Sequence, residues 1–131
     1  MTRINVGIHA RELCDAHLIA EYRELPRLWA FEPKSTAPPY FCLGKGHVLW
    51  CAQYPRLLAD RFAGLVNEMQ TRGFKPLYLT APQVAQSATR LPDVRQIADA
   101  RKIVIARIRD RLSTMKRVPK WTRRSPPNWT R

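Results

Sequence analysis

The hydrophobic spacing of this chain predicts an all-α fold: a single compact domain of three helices with long irregular loops and a basic, tryptophan-containing C-terminal tail. Three observations carry that expectation. Three stretches repeat apolar residues at helical intervals, prolines punctuate the chain between them, and no stretch shows the period-two alternation of a strand. With 131 residues and 45% apolar composition, the chain suits one domain with a modest core. The expected bounds are 1–124 for the folded domain and 125–131 for a flexible basic tail.

The first helix is expected over Ala10–Leu25, where Leu18, Tyr22 and Leu25 form a core stripe and His17, Glu21 and Glu24 share a second one. Pro26 should end it, because the residue before a proline is pushed away from helical dihedrals. Ile4–His9 reads either as an extended segment or as the run-up to that helix. Residues 28–53 read as irregular, since Pro33, Pro38 and Pro39 bar a long helix and Gly44-Lys45-Gly46 marks a tight turn. A second helix fits Pro55–Arg72, with proline at its first position, Leu58, Phe62, Leu65 and Met69 on its buried face, and Gly73 to cap it. Pro76, Pro82 and the polar stretch to Arg90 read as a connector. A third helix fits Pro92–Lys116, with Val104, Ile108, Leu112 and Met115 as its apolar stripe and arginines over the remaining surface.

The net charge of +13 and pI near 10.7 point to a polyanionic partner, of which nucleic acid is the commonest. The charge is uneven: Arg90–Arg131 holds 13 of the 23 Lys/Arg but 3 of the 10 Asp/Glu. The three cysteines, Cys14, Cys42 and Cys51, are odd in number and form no C-x-x-C pair, which argues for a reducing compartment and against a disulfide framework. Their spacing with His47 fits no usual zinc pattern, so buried thiols are expected rather than a metal site. No apolar leader and no run of about 18 apolar residues is present, so a soluble protein is expected.

The N-terminus carries a possible chemistry. A small residue follows the initiator methionine, so the mature chain is expected to begin with the amine of Thr2. An α-amine titrates near about 7.7–8.0, well below lysine, so a useful fraction is free at neutral pH. Nearby cations lower it further, and Arg3, Arg23 and Arg27 are candidates. Such an amine can attack C1′ of a nucleoside, displace the base and leave an imine. Glu24 could stabilise the cationic transition state and shuttle protons. Residue types alone leave the bland reading standing, because most N-termini are inert and a glutamate in E-Y-R-E is usually a solvated helix residue.

Two strings add specificity. His17-Leu18, followed by Ala20-Glu21-Tyr22-Arg23-Glu24-Leu25-Pro26-Arg27, and Leu43-Gly44-Lys45-Gly46-His47-Val48 resemble the phage-type pyrimidine-dimer DNA glycosylases with AP-lyase activity. Arg72-Gly73-Phe74 after the second helix is a looser third anchor. The resemblance covers roughly the first 75 residues. It implies Thr2 as the imine-forming nucleophile and Glu24 as the acid/base, with DNA contacts from Arg3, His17, Arg23, Arg27, Lys45 and His47. Arg109 would match a phosphate-binding arginine on the last helix, with Lys116 as a second basic partner. Trp121 stands where the family's C-terminal aromatic cluster begins.

The chain also departs from the family. Its 27–43 loop is shorter, Ala16 replaces a polar residue, and charge replaces most of the terminal aromatics. The resemblance implies no cofactor, double-stranded DNA with damaged bases as partner, no membrane, a monomer, and a cytoplasmic setting, nucleoid-associated or in a phage-infected host. Two alternatives stand beside it: the same chemistry on another damaged or modified base, and a non-enzymatic basic DNA-binding protein in which Trp121 and Trp129 stack on bases.

Overall fold

Among the described residues five helices follow one another: α1 (Asp15–Glu24), α2 (His47–Ala52), α3 (Pro55–Thr71), α4 (Gln83–Ser87) and α5 (Val94–Thr114). Short 3₁₀ turns lie at Ala10–Glu12, Leu25–Leu28 and Asn128–Thr130. The computed structural model describes residues 3–32 and 35–130; Met1, Thr2, Pro33, Lys34 and Arg131 lie outside the described residues. Among the described residues there is no strand, and no helix is long and apolar enough to cross a membrane.

The three long helices are the expected ones. α3 starts at Pro55, buries Leu58, Phe62, Leu65 and Met69, and ends where Gly73 adopts φ +88°. There the Gly73 N–H donates to the Gln70 carbonyl and the Phe74 N–H to that of Met69, a left-handed cap that satisfies the last carbonyls. α5 is capped by the Asp93 carboxylate, which accepts from the Arg95 N–H at 2.6 Å. Tyr22 of α1 stacks on Phe62 of α3 at 5.6 Å, and Trp29 meets the same ring edge-on at 5.9 Å.

Three details differ from the sequence expectation. α1 begins at Asp15 rather than Ala10, because Leu13 and Cys14 are extended and turn Leu13 fully into the core. Leu25 keeps helical dihedrals (φ −57°, ψ −41°) in front of Pro26, and the chain tightens into a 3₁₀ turn instead of leaving the helix. Leu25 is completely buried, and anchoring it there, worth on the order of 2–3 kcal/mol, offsets the steric preference. The segments expected to be irregular also contain α2 and α4, each shorter than two turns.

The N-terminal segment is the keystone. Ile4, Val6, Ile8 and Leu13 are at most 2% exposed, so this chain end is threaded through the core. It has no neighbouring strand, and side chains from four helices supply its backbone partners instead. Arg3 N–H donates to Glu24 of α1 at 3.3 Å, Ile4 N–H to His47 Nε2 of α2 at 2.9 Å, and Asn5 N–H to Glu21 of α1 at 3.3 Å. The Gly7 carbonyl accepts from Arg101 of α5 at 3.0 Å, and that of Ile8 from Arg61 of α3. Gly7 has φ +84°, and a Cβ there would stand 2.9 Å from both Arg101 Cβ and the Ile97 carbonyl oxygen. Only glycine lets the segment lie this close to α5.

The chain after α5 is tied down by charge and indole. Trp121 Nε1 donates to the Glu12 carbonyl at 2.9 Å and Trp129 Nε1 to the Glu12 carboxylate at 3.1 Å. Arg124 forks onto both oxygens of Glu68 at 2.9 Å, and Thr122 N–H donates to Asp15 at 3.0 Å. Further on, a half-buried Trp129 packs against the core.

Candidate active site

A cleft of about 110 Å³ opens between α1, α5 and the N-terminal segment. Its walls carry Arg3, Asn5, His17, Glu21 and Glu24, with Arg107 and Arg111 from α5. α1 supplies three of these because residues 17, 21 and 24 recur at about one-turn intervals and share a face. α5 supplies two because Arg107 and Arg111, four residues apart, flank the buried Ile108.

The two glutamates one turn apart on α1 have different fates. Glu21 is 1% exposed and consumed internally: Arg61 Nη2 donates to it at 2.9 Å, the Arg61 Nε–H donates to its other oxygen, and the Asn5 amide donates at 2.7 Å. Glu24 is half-buried at the cleft wall, and among the described residues its one hydrogen bond is from the Arg3 N–H. Glu21 therefore fixes the wall, and Glu24 is the carboxylate with oxygen lone pairs left to use.

The surrounding field is positive. Burial lowers the pKa of Arg3 from its ordinary value, and the neighbouring Arg111 and Arg107 lower it further against the pull of Glu24. Burial likewise depresses His17, again reinforced by Arg111 and Arg3, so its ring is neutral at pH 7. The Nε–H of Arg107 is buried with no acceptor among the described residues. An unpaired buried donor of this kind is costly until an acceptor arrives, and a phosphate oxygen would satisfy it.

Of the residues singled out from sequence, Arg3, His17 and Glu24 meet in this cleft. Thr2 lies outside the described residues. Arg23 and Arg27 are exposed on α1 and the turn after it, away from the cleft lining, and Lys45 is exposed between Gly44 and Gly46. Four further candidates sit outside the cleft. His47 is 2% exposed: its Nε2 accepts from Ile4 N–H, and its Nδ1–H donates to the Cys42 carbonyl at 2.9 Å, so neither nitrogen is left for DNA. Arg109 and Lys116 are exposed and line no part of the cleft, to which α5 contributes Arg107 and Arg111 instead. The Trp121 indole N–H is spent on the Glu12 carbonyl, which makes the ring a clasp for the tail.

Among the described residues no group of three or more His, Cys, Asp or Glu is arranged to hold a metal. Cys14, Cys42 and Cys51 are free thiols, and burial raises the pKa of Cys14 and Cys51, which keeps both protonated and unreactive.

A keystone segment, a carboxylate and a surplus of arginines in one cleft make a site suited to a polyanion. The family model of pyrimidine dimer DNA glycosylase matches residues 1–82, the part of the chain that holds the N-terminal segment, α1, α2 and α3. The chain belongs to that family, DNA-repair enzymes that act on damaged DNA at pyrimidine dimers.

Proposed function

We propose that the chain is a bifunctional DNA glycosylase and AP lyase that cleaves the N-glycosidic bond at cyclobutane pyrimidine dimers in duplex DNA through the α-amine of Thr2, then nicks the backbone by β-elimination. The observation that carries the reading is the 3.3 Å hydrogen bond from the Arg3 N–H to Glu24, because Thr2 is the residue joined to that nitrogen. A free amine bonded next to Arg3, in the field of Arg107 and Arg111, would be driven toward its neutral, nucleophilic form.

The chemistry balances without a cofactor. The amine forms a bond to C1′ as the C1′–base bond breaks, and the base leaves with the electron pair and takes a proton. The sugar ring opens at O4′, which is protonated, and C1′ becomes a protonated imine. Loss of the C2′ proton then expels the 3′ phosphate by β-elimination. Glu24 stabilises the developing positive charge at C1′ and relays protons, while Arg3, Arg107 and Arg111 grip the flanking phosphates. Neutral His17 is a second group in the cleft able to accept a proton. Arg23, Arg27 and Lys45 extend the cationic surface beyond the cleft.

The deciding experiment is borohydride trapping on an oligonucleotide duplex with one cyclobutane dimer, after the N-terminus has been read by mass spectrometry. Wild type is expected to give a covalent adduct, a chain retaining Met1 none, and Glu24→Gln a rate lower by about two to three orders of magnitude. Adduct on abasic DNA but not on the dimer would move the target to another lesion. No adduct on either would leave a DNA-binding protein without this chemistry.

A further inference from the structure

α1 has a cleft on each flank. His17, Glu21 and Glu24 line the first, whereas Ile19 and Arg23 line a second whose far wall is Gly73–Leu77. No carboxylate lines this second cleft. Arg23 and Lys75 do, and the Arg123 guanidinium, which donates to the Thr71 carbonyl at 3.0 Å, lies over Gly73.

The loop that closes it is unusual in two ways. Leu77, Tyr78 and Leu79 are 80%, 65% and 54% exposed, the one run of consecutive large apolar residues left in water among the described residues. Yet the run is clamped. The Tyr78 N–H donates to the Tyr22 hydroxyl at 2.8 Å, and the same hydroxyl donates to the Tyr78 carbonyl at 3.2 Å. Tyr22 is itself buried and stacked on Phe62. The backbone on either side of Tyr78 is therefore set by the core, and Leu77, the residue just before it, stands at the edge of a cationic cleft.

An exposed apolar side chain next to a clamped backbone and beside cations fits a duplex, whose phosphates meet the charges and whose base stack takes the hydrocarbon. Resting on the reading of the first cleft as the lesion site, we propose that Leu77 is a wedge. It enters the base stack of damaged DNA from the flank of α1 opposite Glu24 and holds open the kink through which the sugar is reached. Leu77 is a positioning residue: it touches bases and takes no part in bond making.

The test uses the full chain bound at saturation to a duplex carrying a tetrahydrofuran abasic analogue with 2-aminopurine beside it. That duplex cannot form an imine, so emission reports unstacking alone. Wild type is expected to raise the emission by about threefold or more. Leu77→Ala should lose most of that rise while its melting temperature is unchanged and its Kd moves by less than about fivefold with the same salt slope, since no cation is removed. Leu77→Met, which keeps the hydrocarbon, should restore the rise. No rise with wild type, an equal rise with Leu77→Ala, or no rescue by Leu77→Met would each overturn the wedge. Failure of the underlying glycosylase reading would show separately, as absence of the borohydride adduct with wild type.

Discussion

Arginine is used in two opposite ways on the two sides of this molecule. Under the C-terminal tail, Arg72, Arg101 and Arg124 meet Asp15, Glu12 and Glu68, cation for carboxylate, with N···O distances of 2.8–2.9 Å. In the cleft, Arg3, Arg107 and Arg111 share a wall with Glu24, and among the described residues none of the four forms an ion pair. Glu21 is there too, but Arg61 has consumed it. The balanced side holds the chain together. The unbalanced side is a standing electrostatic cost that a phosphate backbone would relieve, and it gives part of the net charge of +13 a location and a use.

The largest effect should come from breaking the balanced side. Arg72 is 2% exposed and carries Glu68 and Asp15 at once. Arg72→Met would leave Asp15 without its cation and Glu68 with Arg124 alone, and urea unfolding should show a loss of about 3–5 kcal/mol. A loss under about 1 kcal/mol would mean that the network is ornamental. Next comes the pin between the two sides. His47→Ala removes the acceptor for Ile4 N–H and the donor to the Cys42 carbonyl, and should cost about 2–4 kcal/mol and loosen the segment that brings Arg3 to Glu24. Burial holds the His47 pKa below its ordinary 6.5. The folded state therefore takes up its proton later than the unfolded chain, so this contribution is complete above pH 6.5 and is lost as pH falls from there through the folded value. A wild-type stability flat from pH 7 to pH 5, with His47→Asn unchanged, would remove His47 from this role.

On the unbalanced side the signs reverse. Arg111→Ala should leave stability unchanged or slightly improved, because Arg3 and Arg111 repel. Binding to duplex DNA should weaken about tenfold, with the slope of log K against log salt falling by about one. Arg109→Ala, on the exposed face two residues away, is the control. If it weakens binding as much as Arg111→Ala, the cleft is not where the phosphates lie.

How much of this was legible depends on length and on contact order. α3 and α5 were legible to within about two residues because each repeats its apolar positions over several turns and carries its own punctuation, Pro55 and Gly73 for one, Pro92 for the other. α2 and α4 span 6 and 5 residues, too short for a period to declare itself. In the site, Glu24, His17 and Arg3 could be grouped from the strings that contain them. Arg107 and Arg111 could also have been found, since they flank the core residue Ile108 whereas Arg109 points away from it. What sequence could not show is that Glu21 is spent on Arg61, 40 residues away, while Glu24 is not. Nor could it show that His47 faces Ile4 rather than solvent; both are long-range pairings with no local signature.

The smallest effect is the one that separates tail from cleft by pH. Hydrogen bonds from Arg101 hold the Glu12 carboxyl at about 2, with burial opposing and the Trp129 indole assisting. Hydrogen bonds from their arginines and from Thr122 also bring Asp15 and Glu68 below their ordinary values, against burial. Across this window the unfolded chain binds more protons than the folded one. The clasp is therefore complete above about pH 4.5 and weakens as pH falls from there toward about 2. Both Trp121 and Trp129 converge on Glu12, so the difference in tryptophan emission between wild type and Trp129→Phe should change within that window. Arg101→Met, which leaves Glu12 nearer its ordinary titration, should start the change at higher pH. The same onset in wild type and Arg101→Met would show that the tail is held by the Arg124–Glu68 fork instead. In that case the balanced side would be a set of independent clasps, and acid would loosen them one at a time.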